Sequence, residues 1–234
     1  MKQKELVMSK GSIVPWSFSK IKAFQQCPKQ FYHTKILKQY PTVETEAMRY
    51  GTDVHLACEE YIRDSKPIPK KYEYVIPALE ALKDIKGEKL CEYELGLTED
   101  RRPCGFKDDE VWFRGIADLI ILNREDKLAW VVDYKTGKNT KYADKGQLEL
   151  MALAVFKHFP EIERVKGGLL FLVAKELITN EVSATGPGDK WYKWNNEFLQ
   201  MKEAFDNNVW NAKTSGLCYR HCDVLECPHN GRNK

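Results

Sequence analysis

"VVDYKTGK", residues 131–138, reads as a buried strand running into a glycine turn, except that Asp133 and Lys135 stand where apolar residues belong. Side chains alternate along a strand, so positions i and i+2 project together. This carboxylate and this ammonium therefore share one space. Unpaired charges are rarely buried, which leaves two readings: a local ion pair at a strand end, or a site that binds something charged.

The sequence just upstream shifts the balance. From residue 88 the apolar residues follow a strand period through "KLCEYELGL", "VWFRGIADLIIL" and "KLAWVVDYKTG", with "NREDK" as a polar connection of hairpin length. These segments predict a small antiparallel core. If the hairpin closes at Asn123 and Leu128, its register sets Asp118 directly opposite Asp133. Like charges so placed repel unless something positive lies between them, and that favours a metal site. A hard divalent cation such as Mg²⁺ takes oxygen ligands and keeps waters that a substrate can displace. Asp118 and Asp133 then hold the metal, and Lys135 positions a water or stabilises charge.

Helical periods flank this core. "PWSFSKIKAFQQCPKQFYHTKIL" predicts two short helices meeting at Cys27-Pro28, with Ser17 as a cap and Phe18, Ile21 and Phe24 on one side. "GTDVHLACEEYIRDS" predicts a helix capped by Thr52, with Val54, Cys58, Tyr61 and Ile62 as its apolar stripe and His55 and Glu59 one turn apart beside it. Residues 66–72 read as linker, and 73–86 as a helix that Pro77 starts or distorts. "DKGQLELMALAVFKHF" returns to helical period, "VKGGLLFLVAKE" is another strand, and "KWYKWNNEFLQMKEAFDNNVW" is a last amphipathic helix.

The 234 residues can bury a sizeable core, and 37 basic against 34 acidic residues leave a formal charge of +3. A polyanion partner must then be held by a local basic surface rather than by bulk charge. No run approaches the length of a membrane span, and "MKQKELVMSKGSIVPW" lacks the apolar core of a secretion signal, so an intracellular, cytoplasmic protein is expected. Seven cysteines in such a chain suggest free thiols or metal ligands rather than disulfides. Cys58, Cys91 and Cys104 are scattered through core or loop segments. Cys218, Cys222 and Cys227 crowd into "GLCYRHCDVLECPHNGR", which is too short and polar to fold around an apolar core of its own.

Taken together, these segments resemble the PD-(D/E)XK nuclease superfamily, in its RecB-like branch, which includes nucleases of CRISPR spacer adaptation. The resemblance lies in "SFSKIKAFQQCPKQFYH", "GTDVHLACEEY", "FRGIADLI", "VVDYKTGK" and "QLELMAL", in that order. It implies an α+β, restriction-endonuclease-like fold with a central mixed sheet flanked by helices. One domain would span 1–234, with N-terminal helices at 16–40, a nuclease core at 51–212, a cysteine-rich segment at 213–234, and the chain ends joined near the cysteines.

By the same resemblance His55, Asp118, Asp133 and the main-chain carbonyl of Tyr134 are metal ligands, Lys135 is the catalytic lysine, and Gln147 orients it or the scissile phosphate. Gln147, three residues after Asp144, could instead complete a capping box. Many relatives carry a tyrosine where this chain has Met151. The implied activity is Mg²⁺- or Mn²⁺-dependent hydrolysis of DNA with a free end or single-stranded region, by an exonuclease of recombination, repair or end processing. The alternatives are an endonuclease or a catalytically silent DNA-binding or loading subunit. Relatives with an iron-sulfur cluster draw one cysteine from the N-terminal Cys-Pro and three from the C-terminus, which maps onto Cys27, Cys218, Cys222 and Cys227. Here the spacing is three then four rather than two then five, and counting by the family rule lands on His221. Four thiolates suit a [4Fe-4S] cluster, three with His221 or His229 suit zinc, and unliganded thiols are the third reading.

Overall fold

The computed structural model describes residues 12–141, 143–186 and 189–233; residues 1–11, read above for their lack of an export signal, lie outside them. Met1–Val43 with Trp191–Lys234 forms one compact unit, and Glu44–Lys190 forms the other. No helix among the described residues is long and apolar enough to cross a membrane.

In the first unit, helix α1 (Phe18–Gln26) starts at Ser17, whose hydroxyl accepts the Lys20 N–H at 3.3 Å. Such a cap is worth about 1 kcal/mol. Cys27 leaves the helix with extended backbone, and Pro28 opens α2 (Pro28–Phe31). Proline suits that first position because its missing N–H would have no partner there. A π turn over Tyr32–Ile36 follows.

The second unit begins with α3 (Glu46–Asp64). This helix starts earlier than its sequence suggested. Thr45, not Thr52, is the cap and accepts the Met48 N–H at 3.2 Å, while Thr52 lies within the helix and donates to the Met48 carbonyl. The good helix formers Glu46, Ala47 and Met48 extend it upstream. A 3₁₀ turn (Lys70–Val75) takes up the end of the expected linker and runs straight into α4 (Ile76–Asp84), with Pro77 in its first turn.

The sheet has six strands: β1 (Glu88–Leu97), β2 (Pro103–Cys104), β3 (Phe113–Asn123), β4 (Leu128–Lys135), β5 (Arg164–Phe171) and β6 (Glu176–Ser183), in the order β2-β1-β3-β4-β5-β6. It is mixed rather than purely antiparallel. β4 and β5 are parallel, joined through α5 (Gly146–His158), and the other neighbours are antiparallel. The parallel step requires a crossover, and α5 supplies it. β2 and β6 were not anticipated, because a two-residue strand has no period and β6 is a mostly exposed edge. On one face of the sheet, Leu119, Ile121, Val132 and Tyr134 pack with Val54 and Cys58 of α3 and Leu79 and Leu82 of α4. On the other face Leu169 and Phe171 pack against Leu148 of α5.

The chain returns to the first unit with α6 (Trp191–Asp206), which buries Trp194, Phe198 and Met201, and Phe198 stacks on Trp16 at 5.7 Å. A short α7 (Leu217–Arg220) begins the cysteine-rich tail.

Candidate active site

β3 and β4 pair from Asn123↔Leu128 up to Leu119↔Val132, and there the ladder ends. The register is the one counted from the hairpin, so Asp118 and Asp133 are the next positions across. In the gap, the Asp118 carboxylate accepts the Tyr134 N–H at 2.6 Å, in the place of a main-chain carbonyl. A residue's N–H and C=O leave a strand on the same side, so the Tyr134 carbonyl also faces the gap. β5 supports β4 from the far side through Asp133↔Leu169 and Lys135↔Phe171.

Next to β3, the pairs Cys91↔Leu119 and Tyr93↔Ala117 bracket Glu92 and Asp118. Glu92 has a left-handed backbone, φ +48°. The usual alternation fails at this point. Cys91 packs against the α3–α4 core, whereas Tyr93, two residues on, packs on His158 and Phe159 at the end of α5. β3 behaves likewise: Leu119 lies in the α3–α4 core while Gly115 faces Met151 of α5, where a Cβ would sit 2.7 Å from the methionine sulfur. Both strands turn over at the same level. Glu92, Asp118 and Asp133 form a row across three adjacent strands at that level.

His55 reaches this row from α3. Its Nδ1 lies 3.4 Å from Asp118 Oδ2, and its ring stands edge-on to Tyr134 at 5.8 Å. One donor atom each from His55, Glu92 and Asp118 lie within 4.8 Å of one another. A cavity of about 440 Å³, lined by Gly51, Thr52, His55, Leu56, Glu59 and Glu92, opens beside them.

Asp133, Lys135 and Gln147 form a second group. Lys135 Nζ is 2.6 Å from Asp133 Oδ2, an ion pair without hydrogen-bond alignment. Gln147 Nε2 donates to Asp133 Oδ1, and Gln147 Oε1 accepts from Lys135 Nζ at 3.3 Å. The glutamine side chain is thus spent on the carboxylate and the ammonium rather than on a capping box. Met151 is buried.

The electrostatics follow from burial and crowding. Burial pushes the Asp133 carboxyl above its ordinary pKa, Asp118 adds to this, and Lys135 offsets it only in part. Glu92 is raised by burial, then by Asp118 and Glu59. Burial alone would lower His55, but its contact with Asp118, together with the charges of Asp118, Asp133 and Glu92, raises it. Glu92 and Asp118 converge on one imidazole, the charge of Asp133 also reaches it, and the Asp133 Oδ2 atom is buried without an aligned donor. That oxygen-rich donor set fits a hard divalent cation.

Glu92 escaped the sequence reading. The segment 98–112 between β1 and β3 is too long for register to be counted across it, and the available signal was only a charge in mid-strand. Cys58 lies in the core below the site, its thiol pushed up to about 12 by burial and then by Asp118, and Cys91 is pushed up to about 11. Both are inert thiols.

In the first unit, Cys27 accepts the Lys213 N–H and Cys218 accepts the Ser215 N–H, each at 3.4 Å. Cys222 is raised by burial, with Cys218, Cys227 and Cys27 all within electrostatic reach. Cys222 and Cys227 are buried, whereas His221 and His229 are exposed. Buried Asn230 ties this tail together by donating to the carbonyls of Cys222 and Val224, at 3.0 and 2.9 Å.

Among solved structures, SSO0001 is similar at 15% identity and TM-score 0.43, with 90% of this chain and 85% of that one covered. A protein provisionally named an exonuclease, from Eubacterium rectale, is similar at 14% identity and TM-score 0.49, with 91% and 89% covered. No curated protein sequence matches the chain. The model of the PD-(D/E)XK nuclease superfamily matches residues 15–227, a span that takes in the strands bearing Asp118 and Asp133, the helix bearing Gln147 and all four clustered cysteines. The chain belongs to the PD-(D/E)XK nuclease superfamily.

Proposed function

We propose that this nuclease is a Mg²⁺- or Mn²⁺-dependent DNA exonuclease, working at a free end or single-stranded region in recombination, repair or end processing. The observation that carries this reading is the row of Glu92, Asp118 and Asp133 at the opened β3–β4 seam, with His55 within 4.8 Å of two of its members and Lys135 fixed beside the third. His55, Glu92, Asp118, Asp133 and the Tyr134 carbonyl would hold the ion. When bound, such an ion polarises the phosphoryl oxygens and makes a water nucleophilic near neutral pH.

The remaining work falls to the protein's own residues. Lys135, held between Asp133 and Gln147, presents a preorganised positive charge where the phosphate gains negative charge. Gln147 sets the positions of both partners. A silent subunit would have no physical reason to keep three mutually repelling carboxylates together, which favours the enzyme over the DNA-loading alternative. End-labelled linear DNA and covalently closed circles, single and double stranded, test the reading in Mg²⁺ or Mn²⁺. Linear DNA should be degraded and circles spared. Rapid nicking of circles would replace the exonuclease by an endonuclease, and no cleavage of either would overturn the enzyme.

The cysteines carry a companion proposal: Cys27, Cys218, Cys222 and Cys227 hold a [4Fe-4S] cluster. Four thiolates suit such a cluster, and the exposure of His221 and His229 favours Cys222 as the ligand. Anaerobically purified protein should contain about four irons per chain; one zinc, or no metal, would overturn this assignment.

A further inference from the structure

On β3, Arg114 and Ile116 are spaced i, i+2 and project from one face, and the strand runs two residues on to Asp118, where it turns over. Gly115, between the first two, faces α5. The Arg114 face is therefore the opposite one, from which His55 approaches Asp118. Arg114 is not an ordinary solvated cation. Its guanidinium lies over the Phe106 ring at 5.0 Å from the centroid, and its Nε is buried without an acceptor.

The packing around it is specific. Gly96 is the cross-strand partner of Arg114, and a Cβ there would meet the Cys104 carbonyl oxygen at 2.7 Å and that of Gly105 at 3.0 Å. The missing side chain lets the 104–106 backbone cross this face and set Phe106 under the guanidinium. No carboxylate pairs with Arg114 among the described residues. Many other basic side chains in this unit are paired, among them Arg63, Arg102, Arg124 and Lys127. A stacked guanidinium keeps its plane and its outer N–H groups aimed, which suits bidentate recognition of a phosphate.

Four residues along a strand span about 13 Å, so Arg114 is too far from Asp118 to serve the same phosphate. Ile116 lies between them, 44% exposed, an apolar surface of the kind a sugar or base can cover. We propose that Arg114 clamps a flanking phosphate of the nucleic-acid strand whose scissile phosphate sits at Asp118. The assignment rests on the nuclease reading for its ligand. It deepens that reading by giving the substrate a track along β3, from Asp118 past Ile116 to Arg114.

The test compares wild type, Arg114→Gln and Arg114→Lys in two assays. The first is binding of a short single-stranded oligonucleotide by fluorescence anisotropy in EDTA over a range of salt. Arg114→Gln should weaken binding about tenfold and lower the slope of log Kd against log salt by about 0.7, as loss of one single-strand phosphate contact does. Arg114→Lys should regain the slope and only part of the affinity, because a lysine keeps the charge and loses the fork. The second is cleavage in Mg²⁺ or Mn²⁺, where Arg114→Gln should act through KM, and more on longer oligonucleotides than on a dinucleotide. An unchanged salt slope, or a loss confined to kcat and equal at all lengths, would overturn the clamp. Wild type that binds oligonucleotide but cleaves nothing would overturn the nuclease reading and leave the binding arm to judge Arg114. Wild type that binds none would overturn both.

Discussion

Asp118 accepts the Tyr134 N–H, touches His55, and raises the pKa of both Asp133 and Glu92. Burial leads the first two shifts, and Asp118 contributes to these and to that of His55, which gives a test with a definite sign. Asp133 and Glu92 have ordinary values of 3.8 and 4.5 and are raised in the fold, so each is penalised once ionised; stability without metal falls as pH rises through their folded pKa values. His55, raised from 6.5, acts in the same direction: its contribution is complete below 6.5 and is lost as pH climbs through the folded value. An asparagine at 118 can still accept the Tyr134 N–H while removing the charge. In EDTA, the melting temperature of Asp118→Asn relative to wild type should therefore increase from pH 5 to pH 8. At the upper end the variant should be the more stable. A pH-independent difference would show that Asp118 does not organise these charges.

The strands that bear the site differ in how far they could be read in advance. β3 and β4 are joined by a short polar hairpin, so register could be counted from its ends and Asp118 fell opposite Asp133. β1 is joined to β3 by a long connection, and Glu92 emerged only when pairing in space was known. The early start of α3 was hidden by the stronger "GTDVH" pattern, and β6 by its exposure as an edge strand. For Gln147, two local readings were equally consistent with spacing, and only its contacts with Asp133 and Lys135 separate them. The backbone of β1 at Glu92 carries its own prediction. Asparagine tolerates a left-handed backbone and valine does not. Glu92→Asn should keep its stability and weaken Mn²⁺ binding by about 10- to 100-fold. Glu92→Val should also lose about 1–3 kcal/mol of stability, measured by denaturant unfolding. Equal stability of the two would mean that the turn-over of the sheet does not depend on this backbone, and wild-type metal affinity in Glu92→Asn would remove Glu92 from the site.

Across the whole molecule, near-neutral charge was the least informative signal in the sequence, since 37 basic and 34 acidic residues cancel almost completely. The functional signal lay in the order of five short motifs; in the cysteine tail, spacing alone leaves His221 and Cys222 as competing ligands of the proposed cluster, and of the two Cys222 is buried and His221 exposed. What the sequence could not carry is everything that depends on strands distant in the chain meeting in space: the carboxylate row, the turn-over at Glu92, and the stacking of Arg114 on Phe106. The carboxylate row meets the seam where β3 and β4 part, with the turn-over at Glu92 on the strand beside it. The most direct measurement is the initial rate of linear DNA cleavage in Mg²⁺ by wild type and by Asp133→Ala, with the melting curve of each recorded alongside. Wild type should cleave and be silenced by EDTA, while Asp133→Ala should fold normally and lose at least about 10²-fold in rate. Full activity in that variant, or cleavage by wild type that persists in EDTA, would contradict the account.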